Sequence, residues 1–337
     1  MIPKIDIYDA AGSGLQDLVS FGSRPLGGTT NPVTVQVWND KGTVVSNENI
    51  GEGDGNEAVF PFAHGNLIPG SPCVVKVAGT TKTETTHYNL DRVGGKVTFT
   101  PGNIPTSGQA VTVSYHYGTG AGTAENVYVL ARRRQTFLAS GDSVTLAEVP
   151  STVYEVSVNG IVTADYTVDG KVVTLDASPT PGDSILVIYE DESCSQQMLQ
   201  VRSNGVEDPF SVGIVDDVQG AFLGVGGSIV VTDAHVGEGD DATTVFTLPS
   251  PCIVGGTLAI KVDSSETEVS LDPVTGEIEF DTAPGDGNEI TASYRAYRIR
   301  QIGAIPPGCA RHIQLRGHAP TTATQSRGEA HLEVWAV

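Results

Sequence analysis

The sequence predicts an all-β protein, on three observations. Apolar and polar residues alternate with a period of two over many short runs, of which Val111 to Tyr115 is typical. Turn-forming pairs such as Gly94-Gly95 and Asp169-Gly170 separate neighbouring runs at hairpin spacing, where the backbone needs a positive φ. No stretch sustains a helical period, since the segments that favour a helix, such as Ala121 to Val127, are short and flanked by glycine.

Three stretches of the chain repeat one series of signals: residues 51–118, 132–191 and 237–298. In each, an acidic or Ser-rich turn leads to an apolar strand start, a Val/Ile-rich strand, a strand pair and an alternating strand that ends in a tyrosine. These tyrosines are Tyr115, Tyr189 and Tyr294. A period of about sixty residues exceeds the roughly 20–50 residues of solenoid and propeller repeats. We therefore interpret the stretches as three small β-sandwich modules, called the first, second and third module.

The residues outside the modules carry strand-like runs of their own. None of the three pieces, 1–50, 192–236 and 299–337, is long enough to bury a core alone, but together they reach about 130 residues, the usual size of one domain. We predict a single immunoglobulin-like β-sandwich, the base domain, split by modules inserted at surface loops, where insertions cost least. The glycine-rich segment 118–122 is predicted to be a hinge. The alternative is three independent small domains.

The chain is strongly acidic, with 19 Lys and Arg against 40 Asp and Glu and a formal net charge of −21. This charge argues against nucleic acid, whose binding needs basic groups that release counterions, and against docking on an anionic membrane. No apolar run approaches the roughly 20 residues of a membrane-spanning helix. The first residues lack the basic and apolar regions of a signal peptide. We expect no nucleic-acid or membrane partner and maturation in a cytoplasm.

The sequence contains no recognisable catalytic or cofactor motif. The 7 histidines are scattered, without a His-x-His or His-Glu-x-x-His pair, and Gly-x-Ser-x-Gly is absent. The segment 118–122 lacks the Lys-Ser/Thr pair and the following helix of a phosphate loop. We expect neither enzyme activity nor a bound cofactor.

Acidic turns are the best candidates for a metal site. Residues 51–57, 237–241 and 284–289 each place several oxygens close together, and Ca²⁺ takes about six to eight oxygen ligands. The spacing matches no known calcium loop, and Asp, Asn and Gly are also the residues that tight turns require. We favour ordinary turns. The alternative is calcium, with the candidate ligands Glu52, Asp54, Glu57, Asp240, Asp241 and Asp286.

The 4 cysteines do not form a disulfide-dense pattern, and none has the ligand spacing of a zinc site. We expect thiols in the cytoplasm. The alternative, after release into an oxidising environment, is a disulfide between Cys194 and Cys309 or a bond between subunits. Trp38 and Trp335 fall in strand-like runs of the base domain, where we expect core anchors rather than sugar-binding platforms.

An arginine triplet stands out in this acidic chain: Arg132, Arg133 and Arg134. We predict a solvated segment at a module junction that pairs with local carboxylates, and the alternative is a docking contact with an acidic partner. Further arginines lie in or beside the last base segment, and they make the base domain the favoured interface. The main candidates are Arg298, Arg300, Arg311 and Arg316.

The second module shows the fullest version of the repeat. One strand ends in Val158-Asn159-Gly160, Asp165 to Val168 and Lys171 to Leu175 form a strand pair, and Pro181-Gly182-Asp183 precedes a strand that ends in Ile188-Tyr189. This pattern resembles small β-modules in virion proteins of tailed bacteriophages, which occur in tail fibres, baseplates, neck appendages and capsid decorations. The resemblance covers the three modules, although the third lacks the Asn-Gly and Asp-Tyr pairs.

The resemblance implies a structural component of a tailed-phage virion, assembled in the host cytoplasm. The base domain would be anchored to the particle and the modules would project, with other virion proteins and copies of the same chain as partners. The alternative is an adhesin that binds a host surface or a glycan through loops at the module tips. A third class, a polysaccharide depolymerase, needs convergent carboxylates that a sequence does not place.

Overall fold

The computed structural model describes residues 4–8, 11, 29–191, 199–207, 214–215, 223–225, 228–317 and 329–336. Within these residues every regular element is a β-strand, and the strands form seven sheets. The predicted all-β class is therefore confirmed.

Nine strands form the first part of the chain. Two precede the first module: β1 (Ile5–Tyr8) and β2 (Val33–Asn39). Seven belong to the first module: β3 (Thr43–Glu52), β4 (Val59–Pro61), β5 (Val74–Val77), β6 (Thr80–Thr81), β7 (Tyr88–Asp91), β8 (Lys96–Phe99) and β9 (Ala110–Tyr117).

Ten strands occupy the middle of the chain. Seven belong to the second module: β10 (Val127–Leu138), β11 (Ser143–Thr145), β12 (Pro150–Val158), β13 (Ile161–Thr163), β14 (Tyr166–Asp169), β15 (Val172–Leu175) and β16 (Ser184–Asp191). Three follow it: β17 (Leu199–Glu207), β18 (Ile214–Val215) and β19 (Leu223–Val225).

Ten strands complete the described chain. Seven belong to the third module: β20 (Ser228–Glu238), β21 (Val245–Thr247), β22 (Ala259–Val262), β23 (Ser265–Thr267), β24 (Ser270–Asp272), β25 (Glu277–Glu279) and β26 (Glu289–Tyr297). The last three are β27 (Arg300–Gln301), β28 (Cys309–Gly317) and β29 (Glu329–Ala336).

The three modules share one strand order. In each, the first, seventh, third and fourth strands form a sheet in that order, and the second, sixth and fifth strands form another. Each pair of sheets encloses its own hydrophobic core, in which the closing tyrosine of the module, Tyr115, Tyr189 or Tyr294, is buried. The sequence repeat is therefore a structural repeat of seven strands.

The opening strand of the first and third modules begins earlier than the sequence indicated. β3 pairs with β9 from Thr43, and β20 pairs with β26 from Ser228, so residues 51 and 237 lie inside these strands. Each strand carries two register shifts against its partner, and the extra residues of such bulges break the alternation of period two. At the first shift Asn47 and Asp233 adopt positive φ values of 50° and 43°. The pattern that marks a strand is lost at these positions.

Strand β10 belongs to two parts of the fold at once. Its residues 127–134 pair with β29, and its residues 133–138 pair with β16 of the second module. Residue 132, where the sequence placed the start of the second module, lies in the middle of this strand. One continuous strand therefore joins the second module to the rest of the protein.

A fourth hydrophobic core gathers residues from distant parts of the chain. β28 lies between β2 and β17 in one sheet, and its Ile313 and Leu315 cluster with Val35 and Val37 of β2. Side chains of β10 and β29 complete this core. It also takes in Ala124, Val127, Val129 and Ala131, which lie outside the predicted base domain. We call these strands, namely β1, β2, β17–β19, β27–β29 and the first half of β10, the base.

The glycine-rich segment 118–122 is held to the end of β2 by two buried side chains. The Asp40 carboxylate accepts hydrogen bonds from the backbone N–H groups of Thr119 at 2.8 Å and Ala121 at 3.4 Å. The Asn39 side chain donates to the carbonyl of Gly122 at 2.8 Å. Backbone amides stabilise a buried carboxylate in this way. The segment predicted to be a hinge is therefore anchored to the base.

Candidate functional site

Three parts of the protein meet on the outer face of the base. Along β10, Val127 and Val129 point into the base core, so Tyr128 and Leu130 lie on the opposite face. Residues from the third module, from β12 and from β29 cover that face. The resulting junction cluster consists of Tyr128, Leu130, Cys252, Val254 and Tyr297, with Tyr154, Val274, Ile299 and Trp335 packed against them.

Arg132, the next outward-facing residue of β10, lies beside the junction cluster. Its guanidinium carbon is 3.4 Å from the ring centre of Tyr154 and 5.5 Å and 5.7 Å from those of Tyr297 and Trp335. A guanidinium nitrogen lies 3.0 Å from a carboxylate oxygen of Glu333, which also accepts a hydrogen bond from the Trp335 indole N–H. The side chains of Arg132 and Glu333 are 10% and 19% exposed. Because water is largely excluded, these cation–π and ionic contacts are stronger than they would be at the surface.

Tyr154 reaches Arg132 because of a bulge in β12. The register against β16 shifts between Val153 and Glu155, which leaves Tyr154 as the extra residue. Val153 packs on the core of the second module, whereas Tyr154 packs on the junction cluster. The hydroxyl groups of Tyr154 and Tyr297 are hydrogen-bonded. Burial raises the pKa of Tyr154 to about 12, so this phenol is protonated at neutral pH. The second and third modules are thus joined directly.

The arginines singled out from the sequence fall into two groups. Arg132 lies at a module junction and pairs with a local carboxylate, as predicted, but its side chain is mostly buried rather than solvated. Arg311 is also buried, and its guanidinium packs against the backbone of Gly303. Because both side chains are mostly buried, they offer little surface to a docking partner, and the interface role of the arginines stays a prediction. The others are half-buried: Arg133, Arg134, Arg298, Arg300 and Arg316.

In two of the candidate calcium turns, an aspartate carboxylate accepts hydrogen bonds from backbone N–H groups of the same turn. Asp54 Oδ1 accepts hydrogen bonds from the N–H groups of Asn56 and Glu57, both at 2.7 Å. Asp240 Oδ1 accepts from the N–H groups of Ala242 at 2.9 Å and Thr243 at 2.6 Å. Among the described residues, no three His, Cys, Asp or Glu side chains are grouped so that they could hold a metal ion. Glu52 ends β3, whereas Glu57, Asp241 and Asp286 lie in the described turns. The hydrogen bonds of Asp54 and Asp240 are those of ordinary turns.

Acid should weaken the first and third modules through these capping carboxylates. Hydrogen bonds from backbone N–H groups lower the pKa of Asp54 and of Asp240, in the latter case with help from the Thr243 hydroxyl. A carboxyl group with a lowered folded-state pKa stabilises the fold above its ordinary pKa, and that contribution is lost as the pH falls through the folded value.

We therefore expect the melting temperature to decrease as the pH is lowered past about 4. The decrease should be less steep in a variant that combines Asp54→Ala and Asp240→Ala. Thermal melts followed by circular dichroism between neutral pH and pH 2 measure both slopes. Asp142→Ala, which removes an exposed carboxylate from the second module, is the control. A double variant with the acid slope of the parent would contradict the capping role.

The cysteines divide between described and undescribed parts of the chain. Cys194 lies outside the described residues, and its candidate partner Cys309 is buried against the base core. Burial raises the pKa of the Cys73 thiol to about 11 and that of the Cys252 thiol to about 12. Both thiols are therefore protonated at neutral pH and are poor nucleophiles.

The two tryptophans are structural anchors, as the sequence indicated. Trp38 is buried, and its indole N–H donates to Gln36 at 2.7 Å. Trp335 packs in the junction cluster and stacks edge-on against Tyr297, with ring centres 5.6 Å apart. The sequence did not point to Tyr154, Tyr297 or Glu333 as partners of Arg132. No local pattern relates them, since Tyr154 and Tyr297 are 143 residues apart in the chain.

The contacts around Arg132 orient the second and third modules relative to the base. The Arg132 guanidinium pairs with Glu333, and the aromatic rings enclose a cation that belongs to the chain itself. In the described part of the chain, no helix is long and apolar enough to cross a membrane. Comparison with known proteins finds no family model that matches the chain and no match among curated proteins.

Proposed function

We propose that this chain is a non-enzymatic structural component of a tailed-bacteriophage particle, in which the base attaches to the virion and carries the modules. The observation that supports this best is the fixed attachment of repeated modules, through the shared strand β10 and the buried junction around Arg132. Each copy of a symmetric assembly must present the same surfaces to its neighbours. Rigid attachment of the modules supplies that uniformity.

We further propose that the base is a split immunoglobulin-like sandwich into which the modules are inserted. Two features support this architecture. The base core combines strands from both ends of the chain with strands from its middle. The ends of the first module, Thr43 and Tyr117, are neighbours in the β3–β9 pair, so the module leaves and re-enters the base at one place.

The partners in this proposal are other virion proteins and further copies of the chain, which assemble in the host cytoplasm. The surface charge is uneven, because residues 237–297 contain twelve Asp and Glu opposed by Lys261 and Arg295 alone. Arginines in or beside the base could therefore meet an acidic surface on a neighbour, since opposite potentials guide association and suppress wrong contacts. Arg298, Arg300 and Arg316 are the candidates for that contact.

Reversing these three charges should prevent incorporation into particles. We expect the variant Arg298→Glu, Arg300→Glu and Arg316→Glu to melt as the parent does but to enter particles at least roughly tenfold less, because like charges at an interface cost several kcal/mol. The measurement is the amount of tagged chain in purified particles, with a low-resolution reconstruction to locate it. The control reverses Lys82 and Lys96 of the first module.

The outcomes separate the proposal from its alternatives. Normal incorporation of the triple variant would move the interface from the base to the modules. Absence of the parent chain from particles, combined with binding to host cells or to a glycan array, would replace the structural role by the adhesin role.

A further inference from the structure

The outer sheet face of the second module differs from the same face of its two repeats. Residues paired across neighbouring strands lie on one face, so a row can be followed from the fourth strand of each module to the first. In the first module the row is Thr81, Lys76, Thr112 and Asn49. In the third it is Glu266, Lys261, Thr291 and His235. In the second it is Val162, Ser157, Leu186 and Thr136.

The edge strand of the second module is apolar as well as exposed. β13 is the outermost strand of its sheet among the described residues, as β6 and β23 are in the repeats. Ile161 and Val162 of β13 are 75% and 65% exposed. The matching positions hold Thr80 and Thr81 in β6, and Ser265 and Glu266 in β23. Polar and charged edges resist further strand pairing, whereas an uncharged apolar edge with open backbone groups favours it.

We propose that β13 pairs with β13 of a second copy of this chain, antiparallel and centred on Val162. This inference rests on the proposed structural role, because it names the contact through which copies would meet. Pairing would join the two six-stranded sheets that contain β13 and place each Ile161 opposite Thr163 of the partner copy. The rows that contain Val162 and Leu186 would then run together across the new sheet.

The charge distribution of the chain favours a second copy as the partner of β13. Each chain carries a net charge of −21, so two copies repel over most of their surfaces. The strip from Asn159 to Ala164 contains no charged residue, so two copies can approach there without facing like charges. A basic partner would instead be drawn to acidic surfaces such as that of the third module. A three-residue strand buries far less than the roughly 800 Å² per partner of a stable dimer, so the contact is weak alone and is favoured where copies are concentrated.

The test compares one substitution with its counterpart in a repeat. Val162→Glu gives β13 the residue that the third module already has in Glu266, so the module should remain folded. Two glutamates would then face each other across the contact, and we expect self-association to weaken about tenfold or more. The control Thr81→Glu makes the same change at the edge of the first module and should leave self-association unchanged. Sedimentation velocity of the full chain over a concentration series gives the dissociation constants, and circular dichroism melts verify folding.

The proposed β13 contact is wrong if the parent chain remains monomeric at the highest soluble concentration. It is also wrong if a folded Val162→Glu variant associates as strongly as the parent. These failures are distinct from failure of the structural role. A monomeric parent that still enters particles removes only the β13 contact. A parent that dimerises through Val162 but never enters particles removes the structural role and retains the contact.

Discussion

A chain that ends after Ile299 is expected to lose the base fold entirely. The truncation removes β28, which lies between β2 and β17, and β29, which pairs with β10. It also removes the buried side chains of Ile313 and Leu315 from the base core. A domain is stable by only about 5–15 kcal/mol, so the loss of a central strand exceeds what the rest of the base can offset. Thermal melts and limited proteolysis should show an unfolded base beside folded first and third modules.

Removal of the first module provides the matched control. Replacing Thr43–Tyr117 with two glycines should leave the base folded, because Thr43 and Tyr117 are directly paired and a short loop closes at little entropic cost. The contacts of Asp40 with Thr119 and Ala121 lie outside the excised segment. If the excised chain unfolds while the truncated chain melts like the parent, the division into a base and an inserted module is wrong.

Replacement of Arg132 by methionine is expected to cost about 3–5 kcal/mol, because it leaves the mostly buried Glu333 carboxylate without the Arg132 guanidinium. Denaturant unfolding, followed through the transition in which the base unfolds, measures this loss of stability. Arg92→Met is the control, since Arg92 and Glu84 form an ion pair whose side chains are 38% and 37% exposed. Such an exposed pair contributes no more than about 1 kcal/mol.

A second substitution separates the ion pair from the packing around it. Adding Glu333→Gln to Arg132→Met removes the unpaired charge and should recover most of the lost stability. Small-angle X-ray scattering should show a wider range of module orientations in Arg132→Met than in the parent. If the single variant unfolds and scatters like Arg92→Met, the contacts around Arg132 do not hold the modules together.

The strands and hairpins were predictable because their determinants are local. The Asp169-Gly170 turn, for instance, sits between β14 and β15, and Val172 pairs with Asp169 there. The starts of the modules were not predictable, because the bulges at Asn47 and Asp233 interrupt the alternation that marks a strand. Within β10, the sequence pattern does not change at the point where the strand passes from the base to the second module, so that boundary was not predictable either.

The junction around Arg132 was only partly predictable, for a different reason. Three consecutive arginines in an acidic chain indicated a site rich in local carboxylates, and one such carboxylate, Glu333, does pair with Arg132. The aromatic side chains around it come from strands far apart in sequence. The bulge that turns Tyr154 toward Arg132 exists only through the pairing of β12 with β16. Contacts of this kind depend on the tertiary arrangement, which a single sequence does not encode in any local pattern.

Strand β10 also determines how the protein responds to tension. A pull on the second module travels to the base along the backbone of β10 itself. The hydrogen bonds of β10 with β16 and with β29 lie across the strand, so a force along it loads them in shear and together. Rupture then requires several bonds to fail at once rather than one after another. The second module is therefore attached in a geometry that resists mechanical extraction.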